Sequence, residues 1–271
     1  MWGGELQKVL REAKVEHSVL EMPDGERSKQ LSTVEQLADR MASKGADRNS
    51  AVIAFGGGVV GDLAGLLAST WMRGVDFIQI PTTLLAQVDA AIGGKTGVNL
   101  RAGKNLLGTF YQPRAVISDP ELLSTLPARE FRAGLFEVIK SGIIRDRKLF
   151  EITEKDRENL LARDPVALER VIRDCARIKA EVVAADEKES DLRRILNFGH
   201  DRPCLGGRYW VSSFPAWRGG GLGNGCCGHD RHGGTQDLPR ISPTDRLLRV
   251  VVFAIAGSKQ PGRGHSEPHS R

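Results

Sequence analysis

The residues best suited to chemistry fall in a few short stretches. Gly56-x-Gly58-x-x-Gly61 follows an apolar run and precedes a helical pattern. In that setting a glycine turn lets backbone N–H groups approach a pyrophosphate. Asp62 comes directly after the third glycine, and no acidic residue stands clearly about 20 positions on, where a ribose partner belongs. The segment therefore reads equally as a dinucleotide turn or as a tight strand-to-helix turn. Gly93-Gly94-Lys95-Thr96 looks like the end of a phosphate loop, but the first glycine of such a loop would fall at position 89, which is Asp89. The ATPase reading fails. What remains, with Asp89, Lys95, Lys104 and Asn105, is an anion site or a surface loop.

Glu137 and Lys140 are neighbours on one helix face, a spacing that is usually an exposed ion pair. Lys179 sits inside an apolar stripe between Cys175 and Val182, so its stem snorkels along the core edge or its ammonium points into a cleft. Asn197-Phe198-Gly199-His200 follows a charged stretch holding Glu187, Glu189, Arg193 and Arg194. Spacing alone leaves His200 a structural residue as readily as a ligand.

These residues need elements to position them. Leu6, Val9 and Leu10 fall at helical spacing, and 17–21 reads as a short strand. Ser32-x-x-Glu35 has the form of a capping box opening a helix with Val34, Leu37 and Met41 on one face. Ala51–Phe55 suits a buried parallel strand, a helix follows through Leu63, Leu66 and Leu67, and Phe77–Ile80 is the next strand. This alternation predicts an α/β layer with a parallel sheet. The chain opens on a helix where a doubly wound domain would open on a strand, so the first βα unit is expected to be missing, leaving a sheet edge or core face exposed. From about Leu126 the pattern turns helical. Pro127 suits a first turn, and Asp164-Pro165 forms a cap-and-first-residue pair ahead of Leu168, Val171, Ile172, Cys175 and Val182.

The 271 residues are 40% hydrophobic and 27% charged, which excludes disordered and fibrous classes. No run of 18 apolar residues exists to span a membrane, and no secretory signal is visible. With 4 Cys and no such signal, a reducing cytoplasm is expected. The net charge of +5 is uneven: residues 1–200 hold 29 Lys+Arg against 29 Asp+Glu, whereas residues 201–271 hold 10 against 5. The basic balance belongs to the tail and gives no reason to expect nucleic acid.

Taken in order, the stretches resemble the 3-dehydroquinate synthase family of sugar-phosphate cyclases. They are Pro-Asp-Gly-Glu-Arg-Ser-Lys (23–29), Gly-Gly-Gly-Val-Val-Gly-Asp (56–62), Pro-Thr-Thr-Leu-Leu-Ala-Gln-Val-Asp (81–89), Gly-Gly-Lys-Thr-Gly-Val-Asn (93–99), Gly-Lys-Asn-Leu (103–106), Glu-Val-Ile-Lys (137–140) and Leu-Asn-Phe-Gly-His (196–200). The resemblance implies a Rossmann-like α/β NAD-binding domain lacking its first unit (1–125), then a truncated, mainly helical metal-binding domain (126–200). It implies NAD contacts from Asp24, Glu26, Lys29, Gly57, Gly58, Gly61, Asp62, Thr82, Thr83, Lys95, Lys104, Leu122 and Thr125. By the same resemblance Glu137 and His200 ligate a divalent metal, zinc or cobalt. Asp89, Lys95, Asn105, Lys140, Lys179, Arg193 and Asn197 line the substrate pocket, and Arg73 reaches the substrate phosphate from a neighbouring subunit of a homodimer. The implied substrate is 3-deoxy-arabino-heptulosonate 7-phosphate. NAD oxidises a hydroxyl, phosphate is eliminated, the ketone is reduced again, and an aldol step closes the carbocycle. An inactive fragment that keeps NAD or subunit binding, and a related sugar-phosphate cyclase, are the alternatives.

After His200 the family pattern stops, and Asp201-Arg202-Pro203-Cys204 follows instead. Tyr209-Trp210-Val211 requires codons TAY TGG GTN, and a one-base shift forces a glycine at the place of a family Thr-Gly pair. Trp217-Arg218 gives a second forced glycine, within a permitted His-Gly-Glu-Ala-Val stretch. Residues 201–271 thus read as an unstructured, out-of-frame tail. That makes Cys226-Cys227-Gly228-His229-x-x-His232 a decoy, and removes the third metal ligand expected of a catalytic site.

Overall fold

The computed structural model describes residues 2–198 and the backbone of residues 250–254. In chain order the main elements are α1 (Trp2–Glu12), β1 (His17–Glu21), α2 (Leu31–Ser43), β2 (Ala51–Gly56), α3 (Gly58–Thr70) and β3 (Asp76–Pro81). A hairpin of β4 (Lys95–Leu100) and β5 (Gly103–Phe110) and the two-residue β6 (Ala115–Val116) come next. Four helices follow: α4 (Ala128–Arg145), α5 (Arg147–Lys155), α6 (Arg157–Leu161) and α7 (Pro165–Ala185), and last β7 (Val250–Ala254).

The strand-helix alternation makes a three-layer α/β unit. β2 pairs in parallel with β3 from Ala51↔Asp76 to Gly56↔Pro81, and β3 pairs in parallel with β6. Side chains on the strands alternate between two cores, as the period of two demands. Val52, Ala54 and Phe77 join Leu37 and Met41 of α2 and Leu63 and Leu67 of α3 on one face. Ile53 and Phe55 meet Leu122 on the other, with Trp2, Leu6 and Leu10 of α1 packed against them.

The sheet order is β1-β7-β2-β3-β6, in which β2, β3 and β6 run parallel as expected. β7 comes from the segment read as unstructured tail, lies between β1 and β2, and is antiparallel to both. Its five residues pair with His17–Glu21 on one side and with 51–55 on the other. β1 and β2, otherwise one strand width apart with facing unpaired backbone groups, are both satisfied by it.

Two local readings are corrected. The capping box at Ser32 and Glu35 does not form: Gln30 is the cap residue, with no side-chain capping bond, and α2 begins at Leu31. The Thr33 hydroxyl instead donates to the Ser28 carbonyl at 2.7 Å. The glycine-rich segment after Gly94 is an antiparallel hairpin, which overturns the surface-loop reading of it. Its glycines are packing requirements, since a Cβ on Gly108 would lie 1.9 Å from the Thr96 carbonyl oxygen. By contrast, Asp164 caps α7 as read, accepting from Ala167 N at 2.9 Å, with Pro165 in the first turn.

The helical part has its own core, in which Leu135, Val138 and Ile139 of α4 meet Leu168, Val171, Ile172, Cys175 and Ile178 of α7. Leu84 and Val88 belong to this core too. The segment after β3 is thus pinned into the helical part, and a Cβ on Gly134 would lie 2.6 Å from Leu84 Cβ. Close approach of α4 to residues 84–85 carries Asp89 to the junction of the two parts.

Candidate active site

Two polar clusters form at that junction. The first gathers at the N-terminal turn of α3. Gly57 caps this 13-residue helix without a side-chain bond, so the turn's N–H groups and helix dipole are available to an anion. A Cβ on Gly57 would meet Thr83 Cγ2 at 3.0 Å, and one on Gly58 would meet Ala90 Cβ at 3.2 Å. Gly61 must stay small as well, with Gln79 Oε1 2.6 Å from a Cβ position. One turn into the helix, Asp62 forms an ion pair with buried Lys29. Burial raises the Asp62 carboxyl above its ordinary range, against the opposing pull of Lys29.

Lys29 Nζ also donates to Asn105 Oδ1 at 2.5 Å. Asn99 donates to Glu26 Oε1 at 2.8 Å, and its own side-chain oxygen accepts from Asn105 N at 2.9 Å. The structure therefore brings Glu26, Lys29, Asp62 and Asn105 together, placing Asn105, expected among substrate contacts, beside the residues expected to hold NAD. Thr82 is buried, and Thr83 Oγ1 accepts from Ala86 N at 3.2 Å near the same turn.

The second cluster surrounds Asp89, on the short π-helical turn Ala86–Ala90. Lys179 Nζ donates to Asp89 Oδ1 at 2.5 Å and to the Asp89 carbonyl at 2.6 Å. The Lys179 ammonium is thus turned inward onto Asp89. Burial holds it below the usual lysine value despite Asp89, and the like charges of Arg193 and Lys140 push the same way. Lys140 pairs with Glu137 one helical turn away, and the pair is buried, with side chains 8% and 15% exposed. The exposed pair suggested by spacing is corrected: α4 turns this face toward α7.

Arg193 is 1% exposed. Its guanidinium donates to the Gly93 carbonyl at 2.8 Å and to the Glu187 carbonyl, and stands 5.8 Å from the Phe110 ring centre. Lys95 points outward, 47% exposed, and pairs with Glu189, which also accepts from Asn197 Nδ2 at 2.9 Å. Burial pushes the Glu189 carboxyl up, but bonds from Lys95 and Asn197 hold it below its ordinary value.

Other expected residues are not gathered here. Lys104 and Asp24 are exposed. Leu122 is buried against Ile53 and Phe55, and the Thr125 hydroxyl accepts from Trp2 Nε1 at 3.1 Å. Arg73 is exposed in the turn after α3, about 20 Å of helix from Gly58. His200 and the cysteine-histidine motif at 226–232 lie outside the described residues. Glu137 is thus the one expected metal ligand described, a buried carboxylate of the hard-oxygen kind such ions accept. Among the described residues no three His, Cys, Asp or Glu side chains group to hold a metal. Sequence reading missed Glu189 as the shared partner of Lys95 and Asn197, and missed Asp186 altogether.

An α/β layer joined to a helical part is an architecture shared with solved sugar-phosphate cyclases. Residues 19–133 match the 3-dehydroquinate synthase N-terminal family and residues 134–202 the C-terminal one. The chain belongs to the 3-dehydroquinate synthase family. It is 57% identical over 199 residues to the 3-dehydroquinate synthase of Koribacter versatilis, covering 73% of this chain and 54% of that one. It is 57% identical over 198 residues to that of Solibacter usitatus, covering 73% and 55%. The chain therefore spans about half the length of these curated relatives. Among solved structures it resembles 2-epi-5-epi-valiolone synthase from Streptomyces hygroscopicus subsp. jinggangensis 5008, bound to NAD+ and Zn2+. That match has a TM-score of 0.64 and 37% identity over 67% of this chain and 51% of that one. It also resembles 2-deoxy-scyllo-inosose synthase complexed with carbaglucose-6-phosphate, NAD+ and Co2+, with a TM-score of 0.63 and 36% identity over 70% and 51%.

Proposed function

We propose that residues 2–198 form the NAD-binding and substrate-anion part of a 3-dehydroquinate synthase, acting on 3-deoxy-arabino-heptulosonate 7-phosphate with release of phosphate. The observation that carries this reading is the gathering of Lys179 and Arg193 about Asp89, with Lys140 close enough to act on Lys179, at the joint between an anion-receiving helix and a helical core. Such a group of cations suits a sugar carrying both phosphate and carboxylate. NAD would supply transient oxidation of a substrate hydroxyl, and a divalent metal, zinc or cobalt, would polarise that hydroxyl. The turn at Gly57–Gly58 would take the dinucleotide's phosphates, with Asp62 beside it held by Lys29. Glu137 and His200 would hold the metal. Lys179, fixed by Asp89, and Arg193 orient the anionic substrate, and Lys140 directs the Glu137 carboxylate through their ion pair.

The same reading assigns the chain to aromatic amino-acid biosynthesis by the shikimate pathway, in the cytoplasm, and to a homodimer through which Arg73 reaches a partner's substrate. The family match ends at residue 202, and residues 203–271 follow another composition. We infer that this 271-residue chain binds NAD and is impaired in catalysis, because the third metal ligand belongs to the other reading frame. Calorimetric titration with NAD tests the first part: saturable binding is expected, and absence of binding overturns the assignment of the α3 turn. Product identification from a frame-restored chain, given heptulosonate phosphate and sedoheptulose 7-phosphate in parallel, separates a dehydroquinate synthase from a related cyclase. Turnover of the first substrate alone is expected, and preference for the second would reassign the enzyme.

A further inference from the structure

Between α7 and the short 3-10 turn Leu192–Asn197 the chain reverses through residues 186–191. One side chain organises that reversal. Asp186 Oδ1 accepts from Ser190 N and Ser190 Oγ, each at 2.9 Å. Its Oδ2 accepts from Asp191 N at 2.8 Å and from Arg193 N at 3.0 Å. Both oxygens of a buried carboxylate are thus saturated by the loop they enclose, which includes the left-handed residue Glu189 at φ 59°. The last donor is the backbone of Arg193 itself.

We propose that Asp186 is a positioning residue for the substrate pocket: it winds residues 186–193 so that the Arg193 guanidinium is locked between the Gly93 and Glu187 carbonyls, facing Asp89. The proposal rests on the reading of Arg193 as a substrate contact. A carboxylate is required because each oxygen accepts two hydrogen bonds and the loop supplies only donors; an amide would set an N–H against two of them. The bonds from the Arg193, Asp191 and Ser190 backbones also hold the Asp186 carboxyl below the usual carboxylate range. The same loop carries Glu189, so the placing of Lys95 and Asn197 follows from it too.

The test uses the full 271-residue chain as wild type, D186N, R193K and the double variant. Phenylglyoxal modification, located by peptide mass spectrometry, reports whether Arg193 stays locked. Arg163, bonded to the Leu123, Ser124 and Leu126 carbonyls, is the internal reference. D186N is expected to speed modification of Arg193 about tenfold while leaving Arg163 unchanged. An unchanged Arg193 rate overturns the proposal, and so does an equal rise at Arg163, which would assign Asp186 to general stability. Binding of inorganic phosphate is measured in parallel. D186N and R193K should each weaken it, and the double variant should be no weaker than R193K alone. Fully additive losses would overturn the coupling. If R193K leaves phosphate affinity unchanged, the substrate reading of Arg193 fails, while the modification rates still decide whether Asp186 positions it.

Discussion

At the scale of single residues, charge and burial decide more than spacing does. Lys179 and Asp89 are 12% and 28% exposed as side chains, a pairing that is strongly context-dependent but costly to break from one side. K179M should lower stability by about 3 kcal/mol in urea unfolding, since it leaves the Asp89 carboxylate without this cation. D89N/K179M should lose less than the sum of the two single changes, and full additivity would show that the pair is not coupled. Cys175 gives a pH signature. Burial pushes its thiol up to about 12, from an ordinary value of 9.0. Above pH 9 the unfolded chain releases this proton and the folded chain keeps it, so stability falls as pH rises from 9 toward 12. C175A should flatten that slope by up to about 1.4 kcal/mol per pH unit, and an identical slope in C175A would reject the assignment. The stripe around Lys179 was plain in the sequence, but its partner 90 positions away was not. Asp186 was hidden for another reason: one carboxylate within Asp186-Glu187-Lys188-Glu189 has no local mark that it, rather than its neighbours, turns inward.

At the scale of elements, β2 and β3 announced themselves because each apolar run ends at a glycine or proline, and α7 because Asp164-Pro165 opens it. The β4–β5 hairpin did not. Its Gly, Lys and Asn residues are poor strand formers, and the pairing is allowed by close backbone approach at Gly97 and Gly108. β7 was the least legible element, because its register is set by β2, about 200 residues upstream, and by β1, about 230 residues upstream. Val252 pairs with Val19 on one side and Ile53 on the other, so V252P removes a ladder donor inside the sheet. Hydrogen exchange should show lost amide protection in 17–21 and 51–55 together. Protection confined to its wild-type pattern would mean that β7 does not hold those strands.

At the scale of the whole molecule, the chain changes character where the family match ends, at residue 202. The body is balanced in charge, matches the family from residue 19 to residue 202, and brings two polar clusters to one junction. The tail carries the excess of Arg, Gly and Pro, and it returns one strand to the sheet without restoring the family's sequence. We propose that the body is the NAD and substrate part of a dehydroquinate synthase whose metal site needs residues from the other frame. The most direct measurement is phosphate release from 3-deoxy-arabino-heptulosonate 7-phosphate, with NAD and zinc supplied, by this chain beside a frame-restored one. The restored chain should turn over, and the 271-residue chain should be slower by about 100-fold or more, since losing a metal ligand exceeds the roughly 10–100-fold cost of losing its support. Comparable rates would contradict the account of the tail, and no phosphate release from either chain would contradict the assignment of the site.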